Sequence, residues 1–179
     1  MKNLVFILAL TAGFVFGFES GNNLYPNPGF TGVVNSRGVW AMPDLWYRGH
    51  VVVDGDYKGK NAIKVEAVPV DWGGYDSCVA SNHLQLKSGH YLFTVRCRTE
   101  IKDGTVLLYF IRHENGKREQ TVKKYTADHF SESALWIELV ANFEIKENDE
   151  KVFFAIGYYG KNPGIVWFAE PKLLINKED

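Results

Sequence analysis

The chain has 179 residues, with 20 Lys+Arg against 21 Asp+Glu, 5 His and 2 Cys. Charges of both signs are scattered along it, which argues against a nucleic-acid binder or a polybasic membrane-surface protein, and 46% hydrophobic residues argue against disorder. The length predicts about one domain, and the aromatic load of 15% raises the question of whether some rings face a ligand.

Residues 1–17, MKNLVFILALTAGFVFG, read as a secretory signal peptide: one lysine, an apolar middle, and small residues before a cut after Gly17. The apolar run from Leu4 to Phe16 is short for a membrane span, which needs about 20 residues. No other stretch is long enough. The expected product is a secreted, periplasmic or extracellular single domain, residues 18–179. Loss of Lys2 moves its net charge from −1 to −2, which favours a neutral ligand over an anionic polymer.

Strand signals then follow in order. Val51–Val53 is a short β-branched run. Asn61–Val68 alternates, with Ile63, Val65 and Ala67 on one face. Leu84 and Leu86 lead to a Ser88-Gly89 turn and the strand His90–Thr99. Thr105–Arg112 is followed by Asn115-Gly116, the strongest short hairpin signal, and a return strand Arg118–Tyr125. Leu135–Glu144, Val152–Tyr159 and Gly164–Ile175 complete the set, and only Ala127–Leu135 suits a helical turn. Short strands separated by turn residues predict an all-β fold, a sandwich or barrel.

Cys78 and Cys97 would sit in an oxidising compartment, where disulfides persist. Cys97 shares a face with Tyr91, Phe93 and Val95. The spacing leaves two readings open, a Cys78–Cys97 disulfide or two buried thiols. Two cysteines without a flanking His pair predict no metal site.

The order of local motifs resembles the galactose-binding-like jelly rolls, in particular carbohydrate-binding modules of the family 4, 9 and 22 type. The carriers are Asn23-Leu24-Tyr25-Pro26-Asn27-Pro28-Gly29-Phe30, Gly59-Lys60-Asn61-Ala62-Ile63-Lys64-Val65, and Asp71-Trp72-Gly73-Gly74-Tyr75. Three more follow: Leu86-Lys87-Ser88-Gly89-His90-Tyr91-Leu92-Phe93, Trp136-Ile137-Glu138-Leu139, and the closing run Gly164–Leu173. The resemblance implies a two-sheet antiparallel β-sandwich that binds a polysaccharide or glycan on its concave sheet. It also implies a structural calcium held by acids at positions that are here Thr31 and Ala169. Both carboxylates are missing, so no cofactor is expected, with Glu170 or Asp54 as the nearest substitutes. Such modules usually sit beside a catalytic domain, whereas these residues predict only the module.

A sugar site needs an exposed ring and a few fixed polar groups. Trp72, beside Gly73-Gly74 and outside any apolar alternation, is the first candidate platform. Tyr75 and Asp76 follow it. Ala155 and Gly157 make a shallow floor with Tyr159 at its edge, and the resemblance places Tyr109 in the groove. Trp40 and Trp46 read as loop residues, Trp136 and Trp167 as core. No nucleophile motif and no metal-binding His spacing is present. A glycosidase pair among Asp71, Asp76, Glu138 and Glu144, or a lyase cluster of Tyr109, Arg112 and His113, is the lesser reading. The remaining alternative is a module that binds other cell-surface proteins or the cell envelope.

Overall fold

The computed structural model describes residues 23–31, 33–34, 40–41, 45–114, 117–130, 135–147, 149 and 151–175. The predicted signal peptide and the Asn115-Gly116 dipeptide lie outside them. Among the described residues thirteen strands are present: β1 Val33–Val34, β2 Trp40–Ala41, β3 Leu45–Arg48, β4 His50–Tyr57, β5 Lys60–Glu66, β6 Val68–Pro69, β7 Tyr75–Ser81, β8 Gly89–Glu100, β9 Thr105–Glu114, β10 Lys117–Thr126, β11 Ile137–Ile145, β12 Lys151–Gly160 and β13 Ile165–Ile175. A 3₁₀ turn, Ala127–Phe130, fills part of the segment expected to be helical. Among the described residues no helix is long and apolar enough to cross a membrane.

The strands form two antiparallel sheets, apart from the small β1–β2 pair. One runs β10-β9-β12-β7-β3, with β6 added to β7; the other runs β11-β8-β13-β5-β4. The hairpin forms in the expected register, with Lys117 opposite Glu114 and Gln120 opposite Ile111. Two expectations change. The segment around Trp46, read as loop, is the edge strand β3, and it pairs with β7 from Leu45↔Ser81 to Arg48↔Cys78. Leu84 makes only an isolated bridge to Val152.

Alternation at period two sends one face of each long strand into the space between the sheets. On β12 these residues are Val152, Phe154, Ile156 and Tyr158; on β8 they are Tyr91, Phe93, Val95 and Cys97. Phe110, Phe143 and Phe154 meet at ring centroid distances of 5.2–5.6 Å, in tilted and edge-on geometries that suit the aromatic quadrupole. The Tyr25 ring stacks on Phe93 at 5.4 Å and closes one side of this core. Asn23 holds it there. Its side-chain carbonyl accepts from the N–H groups of Tyr25 and Leu173, and its amide donates to the Pro171 carbonyl at 2.8 Å.

Trp136 and Trp167 do not join that core. Trp167 stands opposite Lys64 and Arg98 on the outer face of the five-stranded sheet, where the Arg98 guanidinium covers its ring at 4.3 Å. Trp136 packs there with Tyr57, at 4.9 Å, beside Ala62 and Ala169. The burial is real, but it comes from cation-covered rings on the outside of the sheet.

The cysteines are both free. Cys97 points into the core from β8, while Cys78 alternates with buried Ser77 and Val79 and so faces outward from β7 in the other sheet. A disulfide would have to pass through the sheet, so that reading is overturned. Burial pushes the Cys78 thiol up to about 12 and Cys97 well above its usual range.

Candidate functional site

The outward face of the six-stranded sheet carries a cavity of about 460 Å³. Its floor comes from two adjacent strands. Tyr109 and Ile111 of β9 lie opposite Ala155 and Phe153 of β12. Ala155 leaves room beside the Tyr109 ring. One wall carries Arg118 and Gln120 of β10; the other carries Arg48 of β3 with Asp76 and Cys78 of β7. At one end the His83 ring meets Phe153 edge-on at 5.5 Å and His113 at 6.1 Å.

Trp72 overhangs this cavity from the turn before β7. The turn is closed by two backbone bonds, Val70 N–H to Gly74 O at 3.1 Å and Gly73 N–H to Val70 O at 2.9 Å. Gly73 and Gly74 adopt φ of +88° and +95°, a region L residues rarely enter. A side chain at Gly74 would also stand 2.6 Å from the Gly160 carbonyl. The two glycines therefore let the chain reverse tightly and leave Trp72 at the tip, 67% exposed.

The polar groups are few and fixed. Arg48 Nη1 binds Asp76 Oδ2 at 2.9 Å, so the one carboxylate among the described lining residues is ion-paired. Burial pushes the Tyr109 hydroxyl up to about 12, with Cys78 and Asp76 adding to the rise and Arg118 opposing it. Near neutral pH Tyr109 is therefore protonated and can donate a hydrogen bond.

Of the five residues singled out from sequence, the cavity brings together Trp72, Asp76 and Tyr109. Tyr159 is on the same sheet face and 43% exposed, opposite Asp76, but it belongs to the rim near Gly104 and Lys161. Tyr75 alternates with Ser77 and Val79, so it turns toward the core and packs against it. Arg48, Arg118, Gln120, Ile111 and Phe153 were not anticipated as site residues. Numbering back from the Asn115-Gly116 turn would have put Gln120 beside Ile111.

The other candidates disperse. Arg112 leaves the cavity face and pairs with Glu119 at 2.9 Å and Asp149 at 3.5 Å. Glu138 is on the opposite sheet, paired with Arg96 at 3.2 Å. Tyr109 and His113 are four residues apart on one strand, about 13 Å at the usual rise. Near the chain closure, Glu170 is held by the Lys60 ammonium, Thr31 is hydrogen-bonded to Asn27, and Ala169 offers no donor. Those residues do not fit a calcium ion, and among the described residues no group of three or more His, Cys, Asp or Glu could hold a metal.

No family model matches the chain, and no curated protein matches it in sequence. Solved structures do share its fold. A family 61 carbohydrate-binding module in complex with β-1,4-galactotriose superposes with a TM-score of 0.55 at 14% identity, covering 87% of this chain and 99% of that one. A xylan-binding domain of family 22 gives 0.58 at 13% identity, covering 86% and 99%. The Clostridium thermocellum xylanase 10B fragment, binding module plus catalytic module with xylohexaose, gives 0.57 at 11% identity. There 76% of this chain matches, but only 27% of that one. In fold, the chain is a β-sandwich of the carbohydrate-binding-module type.

Proposed function

We propose that this chain is a secreted, non-catalytic carbohydrate-binding module whose site is the cavity under Trp72. The observation that carries this reading is the two-thirds-exposed Trp72 ring, which lines one cavity with Tyr109, Asp76 and Gln120. The apolar C–H face of a sugar can stack on the indole, while its hydroxyls meet the fixed polar groups below. A protein-docking face would instead offer broad aliphatic area; here charged groups stand between the rings. The solved neighbours that bind galactotriose or xylohexaose support the same class of ligand.

The lining also supports a binding role over catalysis. Hydrolysis of a glycosidic bond uses two carboxyl groups about 5–10 Å apart. Asp76 has no such second carboxyl among the cavity-lining residues, and Arg48 engages it. Tyr109, with its raised pKa, is a poor base at neutral pH. The Lys60–Glu170 pair supports a closure that works without calcium.

The test is affinity electrophoresis of the protein against plant, algal and bacterial polysaccharides. At least one should retard it, and Trp72→Ala should abolish most of the retardation while circular dichroism stays unchanged. Absence of binding across the panel, or equal binding by Trp72→Ala, removes the proposal.

A further inference from the structure

Resting on that reading of the cavity, we infer that its glycan is acidic, a uronate-containing polysaccharide whose carboxylate is bound by Arg118. The total charge of the chain points the other way, but the distribution decides. On the strands of the six-stranded sheet, the outward face carries Arg48, Arg118, Lys124 and Lys151. Lys124 shares the alternation of Arg118 and Gln120, and Lys151 that of Phe153 and Ala155. Against these four cations that face has one described strand carboxylate, Asp76, and Arg48 takes it at 2.9 Å.

Arg118 lines the cavity and has no carboxylate partner among the described residues. It stands close enough to Tyr109 to bear on the titration of that hydroxyl. The outer face of the other sheet is arranged differently. There Lys64 pairs with Glu66 at 2.8 Å, Arg96 with Glu138 at 3.2 Å, and Lys60 with Glu170. One face of the sandwich is internally neutralised; the face with the cavity is left cationic.

A planar guanidinium offers two parallel N–H donors that match a carboxylate, which a lysine cannot reproduce. Gln120, two residues along the same strand face, supplies a further amide for the neighbouring hydroxyls. A polysaccharide laid along the cavity can stack one ring on Trp72 while the carboxylate of another residue reaches Arg118 on the opposite wall.

The experiment compares polygalacturonate and alginate with carboxyl-reduced polygalacturonate, neutral galactan and xylan, and dextran sulfate, by isothermal titration at low and high salt. Uronates should bind at least about tenfold tighter than the reduced polymer, the scale expected for hydrogen bonds to a charged group. Salt should weaken only the charged component. Arg118→Gln and Arg118→Lys should both erase the difference between the uronates and the carboxyl-reduced polymer. Equal binding of neutral and uronate polymers overturns the inference but leaves the carbohydrate-binding reading intact. Dextran sulfate binding as well as the uronates, or uronate binding that survives Arg118→Gln, also overturns it. Failure of every polysaccharide ends both readings. Release of unsaturated uronate ends would keep the ligand class and overturn the non-catalytic role.

Discussion

Tyr158 lies fully buried in the core, back to back with the rim residue Tyr159, and its hydroxyl ties two turns together. It lies 2.9 Å from the Asn162 carbonyl and 3.2 Å from that of Asp103. A hydroxyl has one hydrogen, so it donates fully to one acceptor at a time, and the nearer Asn162 is favoured. The chain is shaped around this ring. A Cβ at Gly160 would fall 2.0 Å from the Tyr158 oxygen, and one at Gly164 would fall 2.7 Å from the ring. Tyr158→Phe removes the donor and keeps the ring. Asn162 is exposed, so its freed carbonyl recovers water, and the net loss should be about 1 kcal/mol. For a chain of this size that is a fall in Tm of about 2–4 °C. Tyr158→Ala removes the buried ring as well and should cost about 3–5 kcal/mol. Urea denaturation followed by tryptophan fluorescence measures both, provided the slope is unchanged. If the Phe variant loses as much as the Ala variant, the hydroxyl carries the energy and the packing argument fails. The pH dependence gives a second check. Burial first, then Asp103, pushes this hydroxyl up to about 12, above an ordinary tyrosine near 10. Its contribution is therefore complete below pH about 10 and is lost as the pH rises toward 12. The gap between wild type and Tyr158→Phe should narrow over that window.

Two further outcomes are expected. Thiol titration of non-reduced, denatured protein should find both Cys78 and Cys97 reactive, while the native protein reacts slowly because burial keeps both thiols protonated; no free thiol in the denatured sample would restore the disulfide. Hydrogen bonding to Lys60 holds the Glu170 carboxyl below its usual range, so the pair stabilises the fold above the ordinary carboxylate pKa and is lost as the pH falls through the depressed one. Glu170→Gln should therefore lower Tm at pH 7 and match wild type near pH 2; an equal deficit at both pH values would trace the loss to something other than the charge.

Where one face of a strand is buried and the other is not, the residues announce the strand. On β11, Leu139, Ala141, Phe143 and Ile145 do so, alternating with exposed Glu138, Val140, Asn142 and Glu144. Trp72 was legible for a related reason: two glycines beside a tryptophan with no place in any alternation mark a turn, and the turn presents the ring. Tyr75, read as following Trp72 on one strand, belongs instead to the strand after the turn. The alternation restarts where β7 begins, so Tyr75 falls on the core side and Asp76 on the cavity side. Arg48 was beyond reach for a different reason. Its place beside Cys78 depends on β3 pairing with β7, a contact across 30 residues that no local pattern encodes. Cys78 shows the same gap, since its face is fixed only once its strand is placed.

Charge illustrates the limit most clearly. A count over the chain averages the two outer faces, and the average is nearly zero. The fold separates them. Carboxylates on the five-stranded sheet meet their own lysines and arginines, so that face contributes little field beyond a Debye length, about 8 Å at physiological salt. On the cavity side one ion pair is closed by Arg48 and Asp76, and Arg118 is left facing the space where a ligand would lie. Arg118, Tyr109 and Gln120 line one cavity, and all three can donate to the same oxygen-rich ligand. The residue pattern needed to see this is Arg118, Gln120 and Tyr109 across one hairpin, read in register.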